Sequence, residues 1–353
     1  MGNLDGRHVS GWAALDGSGT LSPFQYTLRE TAPNDVLIKV LFCGICHTDL
    51  HQLRNDYGAS KYPMVAGHEV TGVVTEVGKK VKDFKEGDNV GVGCLVGSCQ
   101  GCSPCKQDME QYCSKRIWTY NDAYPDGRPT YGGFANFMIV DQSFVVRIPD
   151  NLPLDVAAPL LCAGITVYSP MKHFEMTESG KRCGVIGLGG VGHMAVKFAK
   201  AFGLHVTVIS TSPSKEEEAK EVLGADEFLL STSEEKMQAA VQSFDYILDT
   251  VPSPHPLDLY LSLLNINGKL VVLGAVPSPL HLATASLILG RRSIAGSFIG
   301  SIKETNEMLN FCAEKNVTCL IETITPDHLN ESMQRLDKND VRYRFVVDMS
   351  KSI

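Results

Sequence analysis

A glycine-rich turn between an apolar strand and an amphipathic helix constrains the fold of this 353-residue chain more than any other feature. The strand spans residues 181–186, and G-L-G-G-V-G follows at 187–192. Apolar residues then recur at the 3.6-residue helical period, at Val191, Met194, Ala195, Phe198, Ala199 and Phe202. This order is typical of the first βα turn of a doubly wound parallel sheet.

The same alternation continues to about residue 300. Further strands are predicted at 205–209, 227–230, 246–249, 269–274 and 293–298. Helices are predicted between them at 214–223, 234–243 and 256–265. Strands that alternate with helices predict an α/β domain with a parallel sheet.

The first 150 residues have a different pattern, with short β-branched runs between Gly, Pro and Asp. The predicted strands are 36–42, 70–77, 89–92 and 144–148. They indicate an antiparallel, partly closed β-barrel. A helical connection is expected over 154–169. After residue 300 we expect a helix at 305–315 and a strand at 343–348, and this tail should return to the first domain.

Four cysteines lie close together as C-x-x-C-x-x-C-x7-C: Cys99, Cys102, Cys105 and Cys113. Four thiolates can close a tetrahedron around Zn²⁺ and leave no position for substrate, so this set predicts a structural zinc site. Disulfides are the alternative in a secreted chain. The first eight residues contain no apolar signal segment, which favours zinc.

A second set of metal-ligating side chains comes from distant segments: Cys46, His68, Glu69 and Cys162. Each alone is typical of an ordinary buried residue. Together with the glycine turn they predict a zinc site with an open coordination position. The other five cysteines, Cys43, Cys94, Cys183, Cys312 and Cys319, are interpreted as reduced and mostly buried.

The charge and hydropathy of the chain narrow the class of ligand. The formal net charge is -8, without a basic cluster, which argues against nucleic acid and anionic membranes. No apolar stretch is long enough to span a bilayer. We therefore expect a cytoplasmic protein that binds a small molecule.

The glycine turn predicts a dinucleotide site, the alternative being a purely structural βα turn. Gly187 permits the tight turn, Gly189 lets the backbone approach the pyrophosphate, and Gly192 allows close helix packing. An acidic residue at the end of the second strand would bind the ribose 2′-hydroxyl of NAD. This chain has S-T-S-P-S-K at 210–215 instead, which favours NADPH over NAD.

A zinc ion with three protein ligands can polarise a carbonyl group, and the nicotinamide then delivers hydride to the carbonyl carbon. Thr48 can hydrogen-bond the substrate oxygen, and His51 can exchange a proton with solvent. Asp49 can accept the free ring N–H of His68. Thr48, Asp49 and His51 all lie within six positions of Cys46, and together they predict a proton relay.

Motifs along nearly the whole chain resemble those of the plant cinnamyl alcohol dehydrogenases, a family of zinc-dependent medium-chain dehydrogenases. They are G-H-E at 67–69, E-Q-Y-C at 110–113, I-W-T-Y-N-D at 117–122, A-P-L-L-C-A-G at 158–164, G-L-G-G-V-G at 187–192, G-S-F-I-G at 296–300 and N-D-V-R-Y-R-F-V-V-D at 339–348.

The resemblance implies a GroES-like zinc-binding catalytic domain at 1–162 and 301–353 and a Rossmann NADP-binding domain at 163–300. It also implies a homodimer joined edge to edge through the nucleotide-binding domains, with zinc and NADPH in the interdomain cleft. The catalytic zinc ligands fall on Cys46, His68 and Cys162, with Glu69 as an alternate ligand. The implied cofactor contacts are Thr48, Gly187, Leu188, Gly189, Gly190, Val191, Gly192, Ser210, Thr211, Ser212, Pro213, Ser214, Lys215, Thr250, Gly274, Ser297, Phe298 and Ile299.

The reaction implied is reversible reduction of hydroxycinnamyl aldehydes, a step of lignin and other phenylpropanoid biosynthesis. Trp118 and Phe298 match pocket positions of the family and could sandwich a phenyl ring. Tyr57 and Ala59 stand where Leu and Met are usual, and Ala285 replaces a usual proline. These departures keep a terpenoid or alkaloid aldehyde or iminium as an alternative substrate. The third interpretation is an NADPH-binding protein that keeps the structural zinc but has no catalytic turnover.

Overall fold

The computed structural model describes residues 7–351 and separates into two compact units. The first unit contains the chain up to Cys162 and again from Gly300 onward, and the second unit is Ala163–Ile299. Residues 1–6 and 352–353 belong to the predicted first domain but lie outside the described residues. The prediction that the N-terminus has no signal segment rests mostly on residues 1–6, and these also lie outside the described residues.

The strands within residues 7–351 are β1 (His8–Ala14), β2 (Leu21–Thr27), β3 (Asp35–Gly44), β4 (Val70–Val77), β5 (Asn89–Val92), β6 (Leu95–Gly97), β7 (Ile117–Trp118), β8 (Phe137–Asp141), β9 (Val146–Arg147), β10 (Arg182–Ile186), β11 (His205–Ser210), β12 (Glu227–Leu230), β13 (Phe244–Asp249), β14 (Leu264–Val272), β15 (Ser293–Gly296), β16 (Ile321–Ile324) and β17 (Arg344–Asp348).

The α-helices of the same range are α1 (His47–Leu53), α2 (Ser103–Lys106), α3 (Leu154–Ala157), α4 (Ala163–His173), α5 (Gly192–Ala201), α6 (Glu234–Ala239), α7 (Leu257–Ser262), α8 (Thr284–Ile288), α9 (Ile302–Lys315) and α10 (Leu329–Asp337). Short 3₁₀ turns connect several of these elements. Among the described residues no single helix is long and apolar enough to cross a membrane, and one bent helix pair passes that test by length and composition only.

The second unit is built on a six-stranded sheet in the order β12-β11-β10-β13-β14-β15, and every neighbouring pair is parallel. In this register Ile186 pairs with Ile209 and Asp249, and Asp249 pairs with Val272. The carboxyl ends of four strands therefore meet at one edge of the sheet, which is where ligands bind in open α/β sheets.

Two helices predicted in this unit were too long. The segment predicted as a helix at 256–265 ends at Ser262, and β14 already begins at Leu264, where the buried Leu264 pairs with Phe244. The helix predicted at 234–243 ends at Ala239. The segment predicted at 214–223 is helical from 213 to 222, with a 3₁₀ turn at Pro213–Lys215 and a π-helical turn at Glu218–Val222. Sheet pairing overrode the helical periodicity at Leu264.

The first unit contains a seven-stranded sheet in the order β16-β17-β3-β4-β5-β9, with β8 also paired to β3. The tail strand β17 is antiparallel to β3, so the chain returns to the first unit as predicted. The β16–β17 pair is parallel, which makes the sheet mixed rather than purely antiparallel. The predicted strand at 144–148 shrinks to β9 because residues 142–144 form a 3₁₀ turn capped by Asp141.

The helical connection predicted over 154–169 is interrupted at Cys162. Helix α3 is followed by a 3₁₀ turn, Ala158–Leu161, and α4 starts only after Cys162. Pro159 lies in the turn, and proline lacks the N–H that a continuous helix would need. The break leaves Cys162 outside regular helix.

Candidate functional site

Four potential metal ligands from three separate segments converge in the first unit. One ligand atom from each of Cys46, His68, Glu69 and Cys162 lies within 4.8 Å of all the others. His68 and Glu69 are buried, and the two cysteines are half-buried. Two sulfurs, an imidazole and a carboxylate are the ligand types that Zn²⁺ takes at catalytic sites.

The strands and their connections place each of these ligands. Cys46 follows β3 and precedes α1, while His68 and Glu69 lead into β4, the antiparallel neighbour of β3. Cys162 sits in the break before α4. A Cβ atom at Gly44 would overlap the Glu69 carboxylate, so the small residue makes room for this ligand.

Glu69 is held by a buried arginine that the sequence analysis did not identify. Arg344 of β17 pairs with Glu69 Oε1, and the exposed fractions of the two side chains are 4% and 0%. Burial raises the pKa of Glu69 to about 7, against the lowering effect of Arg344. Glu69 Oε2 is buried without a hydrogen-bond partner, and an unpaired carboxylate oxygen beside two thiols fits a metal ion.

Asp49 holds two of the ligand residues, Cys46 and His68, in place through its carboxylate oxygens. Its Oδ1 lies 3.1 Å from His68 Nδ1 and accepts the Gly67 backbone N–H at 3.1 Å, while Oδ2 accepts the Cys46 backbone N–H at 2.8 Å. Asp49 is fully buried, and the Tyr120 ring stacks beside His68 with 5.9 Å between centroids. With Nδ1 directed at Asp49, the Nε2 atom of His68 is the nitrogen available to a metal.

Cys94 is a free, half-buried cysteine, in line with its interpretation as reduced, but its thiol also interacts with the ligand group. An interaction with the Cys162 thiol is the main cause that lowers the pKa of Cys94, and His68 contributes as well. The Cys94 thiol thus borders the ligand group. The register of β4 and β5 brings it there, because Val70 pairs with Val92 and Cys94 follows two residues later. A predicted β4–β5 hairpin with this register would have signalled the contact.

The two candidate relay residues lie on α1. Thr48 is exposed, and His51 is three residues further along the same helix face. Asp56 Oδ2 is 2.8 Å from His51 Nδ1, and the Tyr57 ring centroid is 5.6 Å from that of His51. Asp49, the third residue predicted for catalysis, faces His68 rather than solvent.

The second cysteine set also gathers its sulfurs. Sγ–Sγ distances are 3.5 Å for Cys102–Cys105 and for Cys99–Cys113, and 4.0 Å for Cys99–Cys105. The Gly101 backbone N–H is the main cause that lowers the pKa of Cys99, to about 6. Four thiols within 4.8 Å of one another fit a closed tetrahedral zinc site.

The glycine turn lies at the carboxyl edge of the parallel sheet in the second unit. Gly187 has φ 86°, a left-handed value that favours glycine, and α5 begins at Gly192. A Cβ atom at Gly189 would meet nothing within 4 Å, which leaves room for a phosphate group against the backbone. Leu188 is buried, whereas Gly190 and Val191 are partly exposed.

The residues predicted to select the nucleotide follow β11. Ser210 is buried, and its hydroxyl accepts the Ser212 backbone N–H at 3.2 Å. Thr211, Pro213 and Ser214 are exposed. Lys215 Nζ donates to the Leu188 carbonyl at 3.0 Å, which puts its charge at the glycine turn.

The other cofactor contacts predicted in the second unit also lie at this edge, whereas Thr48 lies on α1 of the first unit. Thr250 Oγ1 donates to the Ile186 carbonyl at 2.8 Å, and the Gly274 backbone N–H donates to the Asp249 carbonyl at 3.1 Å. Ser297, Phe298 and Ile299 follow β15, and Ile299 is buried with φ 40°.

The predicted substrate-pocket residues belong to both units. In the first unit Tyr57 is 55% exposed and Ala59 is exposed, while the Arg116 guanidinium lies 4.9 Å above the Trp118 ring. In the second unit Phe298 is 38% exposed.

Comparisons with known proteins account for this combination of sites. An alcohol dehydrogenase GroES-like domain matches residues 32–150, and a zinc-binding dehydrogenase domain matches 190–314. A Picea abies protein named "Probable cinnamyl alcohol dehydrogenase 7/8" is 67% identical over 353 residues, covering 100% of this chain and 99% of the relative. This chain belongs to the plant cinnamyl alcohol dehydrogenase family.

Other members of the family and its solved structures agree. Cinnamyl alcohol dehydrogenase 1 of Capsicum annuum is 60% identical over 100% of this chain and 99% of its own length. A cinnamyl alcohol dehydrogenase structure from Sorghum bicolor has TM-score 0.96 at 51% identity, covering 98% and 99% of the two chains. A structure titled CAD from Helicobacter pylori complexed with NADP(H) has TM-score 0.90 at 38% identity, covering 98% and 99%. The resemblance seen in the sequence and the predicted GroES-like and Rossmann classes are confirmed.

Proposed function

We propose that this zinc-dependent dehydrogenase reversibly reduces hydroxycinnamyl-type aldehydes to allylic alcohols with NADPH. The carbonyl carbon receives a hydride from the nicotinamide, and the carbonyl oxygen receives a proton. The buried group of Cys46, His68, Glu69 and Cys162 carries this proposal, because its unpaired Glu69 oxygen and two thiols form a metal-binding pocket. Relatives at 60% to 67% identity, named as cinnamyl alcohol dehydrogenases, supply the substrate class.

Zinc, when bound by Cys46, His68 and Cys162, supplies a Lewis acid that polarises the carbonyl group. Glu69 is the alternate ligand, and Arg344 limits its reach by pairing with one of its oxygens. Cys99, Cys102, Cys105 and Cys113 would hold a second zinc with a structural role. Two zinc ions per chain are therefore expected.

We assign proton movement to α1. Thr48 presents its hydroxyl at the first turn, beside Cys46, where it can hydrogen-bond the substrate oxygen. His51 is one turn further on and is oriented by Asp56 at 2.8 Å, so it can pass a proton to solvent. Asp49 fixes His68 and has a positioning role.

The choice of NADPH rests on residues 210–215, which contain hydroxyls and Lys215 but no carboxylate. Replacement of Lys215 by Ala should lower kcat/KM for NADPH by about tenfold to a hundredfold, since a charged hydrogen bond to the 2′-phosphate is lost. The value for NADH should change little. Lys220→Ala is the matched control, because Lys220 already pairs with Glu216, four residues before it. Equal kcat/KM for NADH and NADPH in the wild type would contradict the assignment.

The substrate is tested by an NADPH-oxidation screen of zinc-loaded protein against hydroxycinnamyl, aliphatic and terpenoid aldehydes. We expect coniferaldehyde and cinnamaldehyde to be turned over. No turnover of either would overturn the cinnamyl assignment. Tyr57, which stands where Leu is usual, keeps a second candidate substrate, a terpenoid aldehyde or an alkaloid iminium.

We propose a homodimer that forms through the free edge of the six-stranded sheet. Strand β15 ends the sheet order, and its row of backbone groups can pair with a second copy. Ile288 and Leu289, just before it, are 74% and 86% exposed. Leu289→Asp should produce monomers in sedimentation analysis, and an unchanged dimer would exclude this edge.

We also assign zinc chemistry to residues 1–162 and 301–353, and dinucleotide binding to residues 163–300.

A cytoplasmic location is proposed because the cysteines of both metal-ligand groups must stay reduced to bind metal. Fluorescent fusion protein outside the cytoplasm would contradict it.

A further inference from the structure

A buried histidine–carboxylate pair in the second unit has no role in the proposed chemistry. Asp249 is the last residue of β13, and His255 follows six positions later. His255 Nε2 lies 2.8 Å from Asp249 Oδ2, with exposed side-chain fractions of 8% and 0%. His255 Nδ1 lies 2.8 Å from the Ser253 carbonyl oxygen.

The contacts of His255 fix the orientation of its ring. A carbonyl oxygen only accepts, so Nδ1–H must donate to Ser253. Nε2 then lies 2.8 Å from Asp249 Oδ2, and neither atom has another hydrogen-bond partner in the described part of the chain, so each depends on the other. Burial raises the pKa of Asp249, against the lowering effect of His255.

The surroundings contain few other titratable groups. Tyr260 of α7 lies against His255, with 5.7 Å between ring centroids, and its phenol interacts with Ser231. Asp258 on the same helix accepts the Ala283 backbone N–H at 2.9 Å. Among the described residues, His255 is thus the basic side chain that pairs with Asp249.

The pair closes a short segment that packs against the glycine turn. Val251 N–H donates to Asp249 Oδ1 at 3.2 Å, and Thr250 Oγ1 donates to Ile186 at the end of β10. A Cβ atom at Gly187 would lie 2.9 Å from Val251 Cγ2, which shows how closely the segment meets the turn. Displacement of residues 250–255 would therefore alter the wall of the dinucleotide site.

We propose that His255 is a positioning residue for the dinucleotide: it holds Asp249 and thereby fixes Thr250 and Val251 against the glycine turn. The inference rests on the proposed function, because it assumes that the turn binds NADPH. The fixed loop favours binding, so the loss of His255 acts on cofactor affinity rather than on the hydride-transfer step.

The test is a fluorescence titration of NADPH into wild type and His255→Ala. We expect Kd and KM for NADPH to rise about tenfold, since the buried Asp249 loses its partner. The KM for the aldehyde should stay unchanged, and kcat should change less than twofold. His205→Ala is the matched control: it removes a histidine–carboxylate contact, His205–Glu227, at the opposite end of the same sheet.

His255→Gln provides a variant that keeps a hydrogen-bond donor toward Asp249. Its affinity for NADPH should approach that of the wild type. This comparison also serves if His255→Ala does not fold.

The outcomes separate the two proposals. Wild type that binds NADPH, with His255→Ala showing the same Kd or His255→Gln failing to restore it, would overturn the role of His255 alone. Lower thermal stability without a change in Kd would do the same, because the pair would then be merely structural. Wild type that fails to bind NADPH would overturn the proposed function and this inference with it.

Discussion

The first unit contains two groups of metal ligands that share zinc as the candidate metal but take their side chains from different parts of the chain. The lobe of Cys99, Cys102, Cys105 and Cys113 takes all its ligands from fifteen consecutive positions, and Cys99 is exposed. The group of Cys46, His68, Glu69 and Cys162 spans over a hundred residues, and buried charged side chains surround it. A short lobe needs only its own turns, whereas the distributed group exists only when the sheet is formed.

This difference indicates separate roles, with the lobe stabilising the structure and the distributed group taking part in the reaction. Sulfur alone closes the lobe, so a zinc there has no position for substrate. In the distributed group, Arg344 competes for the carboxylate of Glu69, and Asp49 orients His68. Four substitutions test whether the two groups have these separate roles.

Cys162→Ser should give the largest effect. Loss of a thiolate ligand removes the Lewis acid, and we expect kcat to fall by about a thousandfold or more. Zinc content should fall from two ions to one, while the melting temperature changes little. Steady-state kinetics and metal analysis measure both effects. Retention of two zinc ions with normal turnover would contradict the assignment of a catalytic role to the distributed group.

Glu69→Gln should reduce stability strongly, because it leaves the buried Arg344 charge uncompensated. We expect a loss of about 3 kcal/mol in the free energy of unfolding, measured from the shift of the urea midpoint. Asp337→Asn is the matched control, since its ion pair with Arg54 is partly exposed and worth less than about 1 kcal/mol. Equal losses in the two variants would show that burial of the pair is unimportant.

Cys105→Ser should affect the lobe alone. One ligand in four of a site worth about 10–16 kcal/mol corresponds to about 2.5–4 kcal/mol, or roughly 10²–10³ in zinc affinity. Chelator competition measures this loss. Turnover per folded molecule should persist at low temperature, and a fall in kcat as large as that of Cys162→Ser would contradict the separation of roles.

Asp49→Asn should have the smallest effect. The loss of negative charge beside His68 should weaken metal binding at the distributed group by about tenfold to a hundredfold. Competition with a chelator should show one weakened zinc and one unchanged zinc. Asp327→Asn removes a comparable contact with His328 on the exposed surface and should change neither.

Much of the fold was predictable because its signals are local. The glycine turn lies between β10 and α5 as predicted, and the strand–helix alternation gave the parallel sheet. The start of β14 at Leu264 was not predictable from periodicity, because its pairing with Phe244 decides it. The break at Cys162 has a local signal in Pro159, because proline disfavours a continuous helix.

The sequence by itself determined the two sets of metal ligands, the glycine turn and the absence of an acid after β11, because spacing and residue type carry that information. Only the tertiary structure decided that Arg344 meets Glu69, that Cys94 borders Cys162, and that His255 reaches Asp249. These contacts depend on strand register and loop path. Both follow from packing of the whole unit rather than from any short stretch of chain.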